Sequence, residues 1–251
     1  MNAFWHAVAF LTRFPVPVRL KSEGWEKSAM WYPVVGVGLG AFLAVIDFLV
    51  ARWFSPPLRA LIDTAVWIFM TGGLHLDGLM DTADGFGSHR DRERMLAIMK
   101  DSRIGAMGMI AGVLLILFKA AAVWTLAQGP ASLFRSVLVV ACALGRMGAV
   151  WGIFFFPYIR EDGIGVGMKE HLTWIRMLFA WICCLLPAVI LLGWPGVVLS
   201  VVALLVSGGI GLVAKRRIGG CTGDLYGAMI ELTEVCLLLI LSLRGVEKWF
   251  V

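Results

Sequence analysis

A chain of 251 residues that is 60% hydrophobic and only 16% charged, with a mean hydropathy of +0.86, lies far outside the composition of ordinary soluble domains and is expected in a bilayer. Its formal net charge of +5 does not mark a nucleic-acid binder, because the basic residues fall in short loops between apolar runs, as membrane topology determinants do. Of the five cysteines, Cys142, Cys183, Cys184 and Cys236 sit inside apolar runs and only Cys221 is in a loop, so they read as small buried hydrophobes without paired metal spacing.

Residues 2–12 form a short apolar segment bearing Phe4 and Trp5, too brief to span and ended near Pro15 and Pro17, which predicts an interfacial or packed helix. No cleavable signal peptide is expected, since residues 1–10 carry no basic n-region. A basic loop with Arg13, Arg19, Lys21 and Lys27 follows. Long apolar stretches then run at about 31–52, 58–75, 104–127, 132–155, 173–193, 195–213 and 225–243, most of them near the twenty residues a spanning helix needs. The expectation is an all-α, polytopic helical integral membrane protein with about seven transmembrane helices in a single membrane-embedded domain over 1–251. No soluble domain, linker or low-complexity tract interrupts it.

After the second apolar stretch comes a polar interruption, Thr71-Gly-Gly-Leu-His75-Leu-Asp77-Gly-Leu-Met-Asp81-Thr-Ala-Asp84-Gly85. If the preceding helix continues through it, the i, i+4, i+7 spacing puts Asp77, Asp81 and Asp84 on one face. Packing does not explain such a stripe: two unit charges about 6 Å apart at an effective dielectric near 20 repel by roughly 3 kcal/mol. A cation or protonation must relieve it. Hard divalent cations take oxygen ligands, and Mg²⁺ is held by a few carboxylates together with substrate phosphates. The plain alternative is a solvated helix end, but glycines 72, 73, 78, 85 and 87 beside the acids point to close backbone approach. Lys100-Asp101-Ser102-Arg103-Ile104-Gly105 adds another acid and two cations.

Further along, Tyr158-Ile-Arg160-Glu161-Asp162-Gly-Ile-Gly-Val-Gly167 combines a cation, acids and repeated glycine suited to phosphate, with a flexible solvated loop as its equal alternative. Lys215-Arg216-Arg217 is the ordinary basic end of a spanning helix, whereas Gly219-Gly-Cys-Thr-Gly-Asp224 calls for chemistry. Ionisable residues inside spans are costly. Asp47, Asp63 and Lys119 fall toward the external half, where a structural pair or a water contact is the expected explanation. Arg146, Glu231 and Glu234 fall in the other half, where either an interhelical pair or a functional role fits. Fourteen Lys and Arg residues lie in one set of loops (Arg13, Arg19, Lys21, Lys27; Arg90, Arg92, Arg94, Lys100, Arg103; Arg160, Lys169; Lys215, Arg216, Arg217). The other side carries four, Arg52, Arg59, Arg244 and Lys248. The positive-inside rule puts the larger set, and with it every motif-bearing loop, in the cytoplasm.

The motifs resemble a known family. His75-Leu-Asp-Gly-Leu-Met-Asp-Thr-Ala-Asp-Gly85 with Lys100-Asp-Ser-Arg-Ile-Gly105 is similar to the signature of the cobalamin synthases, the adenosylcobinamide-GDP ribazoletransferases. Leu11-Thr-Arg-Phe-Pro-Val-Pro17 is similar to their opening and Gly219-Gly-Cys-Thr-Gly-Asp224 to their late loop. Met80 and Met107 depart from the pattern, which touches packing rather than chemistry. The resemblance covers nearly the whole chain. It implies that a ribose hydroxyl of α-ribazole, or of its 5′-phosphate, attacks the cobinamide-side phosphorus of adenosylcobinamide-GDP, giving adenosylcobalamin or its 5′-phosphate and GMP.

In that reading Asp77, Asp81, Asp84 and Asp101 are the metal candidates for Mg²⁺. Asp81, Asp84, Asp224 and His75 are the catalytic candidates. Lys100, Arg103, Arg146, Arg160 and Arg217 are the phosphate-binding candidates. His75 is a ligand, a base or, by a small preference, a helix-end hydrogen-bond donor. The expected setting is a bacterial or archaeal cytoplasmic membrane, with lipid as partner, no nucleic acid, and a homo-oligomer left open. Two other readings remain at this point: an aspartate-rich membrane prenyltransferase, and a transporter using Arg146, Glu231 and Glu234 as a relay.

Overall fold

The computed structural model describes residues 2–17, 23–244, 246 and 249. Arg19, Lys21 and Lys248 of the charge count lie outside the described residues. Among the described residues there are eleven α-helices and no strand: α1 (Asn2–Leu11), α2 (Tyr32–Val50), α3 (Pro56–Met70), α4 (Leu74–Gly87), α5 (Arg92–Ile98), α6 (Ala106–Ala127), α7 (Ala131–Phe155), α8 (Met168–His171), α9 (Trp174–Leu192), α10 (Trp194–Ile218) and α11 (Gly223–Leu241).

Five of these are long and apolar enough to cross a membrane: α2 with the 3₁₀ turn before it, α6, α7, α9 and α10. The two other stretches expected to span are of a different kind. Helix α3 has 15 residues, about 22 Å at 1.5 Å per residue, and α11 carries Asp224, Glu231 and Glu234 within its 19. The count of seven is therefore not established, while the polytopic helical character is. Helix α7 is the central post, nearly all of it buried. Around it, α6, α9 and α10 turn Ile110, Leu117, Phe118, Ile182, Leu186, Val201 and Leu205 outward. A continuous apolar exterior of that size is a liability in water and the ordinary surface of a protein in lipid.

The short N-terminal helix is packed rather than free, with Ala7, Val8 and Leu11 buried. The chain after it is tied to the end of α3, where the Arg13 amide donates to the Met70 carbonyl at 2.7 Å. The polar interruption does not continue α3. Gly72 and Gly73 both take positive φ, +66° and +73°, a conformation that costs other residues strain, and they end one helix and start the next. The acid stripe nevertheless stays on one helix, because all of it belongs to α4.

Candidate active site

Helix α4 runs antiparallel to both α6 and α11 and is held between them. A Cβ at Gly78 would lie 2.7 Å from the Asp224 carbonyl oxygen and 3.0 Å from its Cα, so only glycine lets the two backbones meet at this depth. That contact brings the first turn of α11, carrying Asp224, against the first turns of α4, carrying Asp77 and Asp81. At the other end of the stripe Asp84 caps α6: one carboxylate oxygen accepts from the Gly105 amide at 2.7 Å and the other from the Gly108 amide at 2.8 Å. Carboxylates suit the start of a helix, where backbone N–H groups are unpaired and the dipole is positive.

These contacts gather four carboxylates in mutual electrostatic reach. Burial pushes the Asp81 carboxyl up to about 7, helped by the charges of Asp77, Asp224 and Asp84 and opposed by Arg160. Asp224 is raised by burial as well, against the lowering effect of Arg160 and of the Thr222 hydroxyl. The Arg160 guanidinium donates to Asp224 at 2.8 Å and Thr222 Oγ1 donates to the same oxygen at 3.2 Å. A short backbone pairing fixes Arg160 there, since the Ile159 amide donates to the Cys221 carbonyl and the Cys221 amide to the Pro157 carbonyl. Among the described residues the Asp77 and Asp81 side chains make no hydrogen bond or ion pair. As they stand, no three His, Cys, Asp or Glu side chains among the described residues converge into a metal cage.

Beneath the acids is a cavity of about 70 Å³ whose lining includes Tyr32, His75, Asp77, Asp224 and Tyr226. Tyr158 stacks on Tyr226 with ring centroids 6.2 Å apart. The chain has only three tyrosines among 15 Phe and 11 Trp, and all three meet here. Sequence reading named Tyr158 only as the start of a loop and passed over Tyr32 and Tyr226, although the scarcity of phenols in so aromatic a chain was a usable signal.

The other predicted site residues fall in different places. Asp101 is spent on Arg103, which donates to it from its amide, Nε and Nη2; these bonds hold its carboxyl down at about 2. Lys100 pairs loosely with Asp162 at 3.4 Å. Arg217 donates to the Phe86 carbonyl at 3.1 Å, tying α10 to the end of α4. Arg146 is fully buried and paired with Glu234; the interhelical pair left open by the sequence is what forms, so it is not placed to hold a phosphate. His75 does not act as a helix-end donor. It is 2% exposed, neither ring nitrogen has a partner among the described residues, and Arg146 and Lys119 lie within electrostatic reach of it.

Lys119 was expected in the opposite half from Glu231 and Glu234, yet it bonds both, at 2.6 and 2.7 Å. The reason is a stagger. Helix α6 starts beside Asp84 and α11 beside Gly78, and that separation along α4 amounts to about 9 Å. A position thirteen residues into α6 therefore comes level with one eight residues into α11.

The cobalamin-5-phosphate synthase family model matches residues 3–242. A Brevibacillus brevis protein named adenosylcobinamide-GDP ribazoletransferase is 41% identical over 243 residues, covering 96% of this chain and 98% of its own. Relatives of the same name from Klebsiella pneumoniae and Escherichia coli are 37% and 38% identical, each covering at least 95% of this chain and 98% of its own. No solved structure matches.

Proposed function

The chain belongs to the cobalamin-5-phosphate synthase family, and from that premise we propose that it joins adenosylcobinamide-GDP to α-ribazole or its 5′-phosphate, as an enzyme transferring a substituted phosphate group. The observation that carries this reading to particular residues is the junction of α4 with α11, where Asp77, Asp81 and Asp224 meet under Arg160. The reaction forms one bond and breaks one. A ribose hydroxyl oxygen bonds to the cobinamide-side phosphorus, the bond from that phosphorus to the bridging oxygen breaks, and GMP leaves with that oxygen while the hydroxyl proton passes to a base.

The donor set fits a hard cation, being all carboxylate oxygen, with two side chains that have no other partner and one carboxyl driven up by burial and, beside it, by its neighbours' charge. Asp77 and Asp81 would hold Mg²⁺, with Asp84 offering the lone pairs its amide bonds leave free. Such an ion would neutralise diphosphate charge and ease departure of GMP. Asp101 could join only by giving up Arg103. Arg160 exchanges Asp224 for a phosphate oxygen, and Asp224, thus freed, takes the hydroxyl proton. Lys100 and Arg103 at the rim neutralise further phosphate oxygens. The cavity lined by Tyr32, His75 and Tyr226 shields the reacting atoms from water. The charge asymmetry of the loops supports a cytoplasmic membrane setting with this end of the bundle inside.

The test is product analysis on the purified protein with adenosylcobinamide-GDP, α-ribazole and Mg²⁺. GMP and a cobalamin should appear one for one, with inversion at the attacked phosphorus. GMP without cobalamin, or neither, would overturn the reading.

A further inference from the structure

A second concavity shares Arg160 with the acid cluster. It is an open cleft of about 580 Å³ between α5 and the turn after Pro157, walled by Leu96, Ala97 and Ile159 and rimmed by Lys100, Arg160, Glu161 and Asp162. That volume is in the range of small-ligand sites, and the mix of apolar walls with a few polar groups is what such sites are made of. We infer that this cleft receives the guanine base of a guanine nucleotide and that the Glu161 carboxylate reads its Watson–Crick edge. The inference rests on the transfer reading above and goes beyond it by assigning the base a place and a recognition residue.

A diphosphate held at Arg160 and the acid cluster has to project its nucleoside away from the buried cavity, and the concavity that also contains Arg160 is this cleft. The aliphatic walls of Leu96, Ala97 and Ile159 give a purine face apolar contact. Guanine presents two adjacent donors, N1–H and the 2-amino group, and an ionised carboxylate presents two acceptor oxygens and no donor. Adenine, with an acceptor at N1, cannot make that pair. Glu161 is exposed in the cleft wall and makes no hydrogen bond or ion pair among the described residues. Its neighbour Asp162 is engaged with Lys100 at 3.4 Å, through side chains 54% exposed on the lysine and 79% on the aspartate. Such a surface pair is weak and opens readily, so Lys100 can move to a phosphate when nucleotide enters.

The experiment measures binding of GMP, IMP and AMP to the full-length protein in detergent micelles, then steady-state kinetics with adenosylcobinamide-GDP. Wild type should bind GMP about tenfold more tightly than IMP, which lacks the 2-amino group, and AMP more weakly still, because a site built to pair a donor rejects the analogue without it. Glu161→Gln should bring GMP and IMP within about twofold of each other and raise KM for the natural substrate with kcat nearly unchanged, the signature of an interaction made equally in ground and transition states. Asp162→Asn, which frees Lys100 from its surface pair, should bind GMP and IMP as tightly as wild type or more tightly and keep their ratio. An unchanged GMP-to-IMP ratio in Glu161→Gln overturns the inference, and if that protein still makes cobalamin the transfer reading stands without it. Guanine preference lost in Glu161→Gln, in a protein whose wild type makes no cobalamin, would instead sink the transfer reading and leave the base site.

Discussion

Asp81 sits where four like charges would meet, and its titration gives a test of that crowding. Burial first, and then the charges of Asp77, Asp224 and Asp84, raise its carboxyl to about 7 from an ordinary value of 3.8, so between those values the folded state holds a proton that the unfolded state has lost. Stability therefore falls as pH rises through that window and levels off above it. In metal-free protein, Asp81→Asn should have the higher Tm above pH 7, with the gap closing as pH falls toward 4. Saturating Mg²⁺ should shrink or reverse the gap at pH 8. A Tm difference that stays flat from pH 4 to pH 8 would mean that burial and crowding do not hold a proton on Asp81. At this scale much was legible in the sequence: the i, i+4, i+7 spacing located the stripe because helical periodicity is a local property. The pairing of Asp101 with Arg103 and the burial of Arg146 were not legible, since each depends on what faces the residue across space.

Helix α4 works only through its neighbours, and two contacts carry that dependence. At Gly78 a Cβ would press on the Asp224 backbone rather than on a movable side chain. Gly78→Ala should shift α4 against α11 by a few tenths of an ångström or more and lower kcat/KM up to about a hundredfold, because positioning errors of this order are costly to catalysis. Loss of kcat/KM with a Tm within a few degrees of wild type is the expected pattern, and full activity would contradict it. One level deeper, Lys119 bonds Glu231 and Glu234 while Arg146 pairs with Glu234, locking α6, α7 and α11 together. Lys119→Met leaves two buried carboxylates with one cation and should cost about 3–5 kcal/mol, read by denaturant unfolding in micelles, and Lys119→Met with Glu231→Gln should recover part of the loss. The break at Gly72 and Gly73 and the stagger of α6 against α11 account for what sequence reading missed here. Apolar runs announce that helices exist, but offsets between helices are set by packing.

For the whole molecule, one end of the bundle gathers the acid helix, the loop bearing Arg160 and the start of α11, and the sequence located that convergence through loop charge before any coordinates. Cysteines placed at His89 and Gln128 in a cysteine-free background should label from opposite sides of sealed vesicles, with position 89 facing the cytoplasm; labelling of both from one side would contradict the topology. The span count was the least legible feature, because α3 is short and α11 mixes apolar residues with three acids. The central claim is that the carboxylate junction of α4 and α11 is where GMP departs. Its most direct test is the rate of GMP release by Asp81→Asn and Asp224→Asn across a Mg²⁺ titration, with Asp63→Asn, a buried aspartate of α3 remote from the junction's contacts, measured beside them. Both junction variants should insert normally and lose at least about a hundredfold in rate, the scale of losing several kcal/mol of charge stabilisation or the proton acceptor, while Asp63→Asn stays near wild type. Near-normal GMP release by Asp81→Asn at any Mg²⁺ concentration would contradict the account.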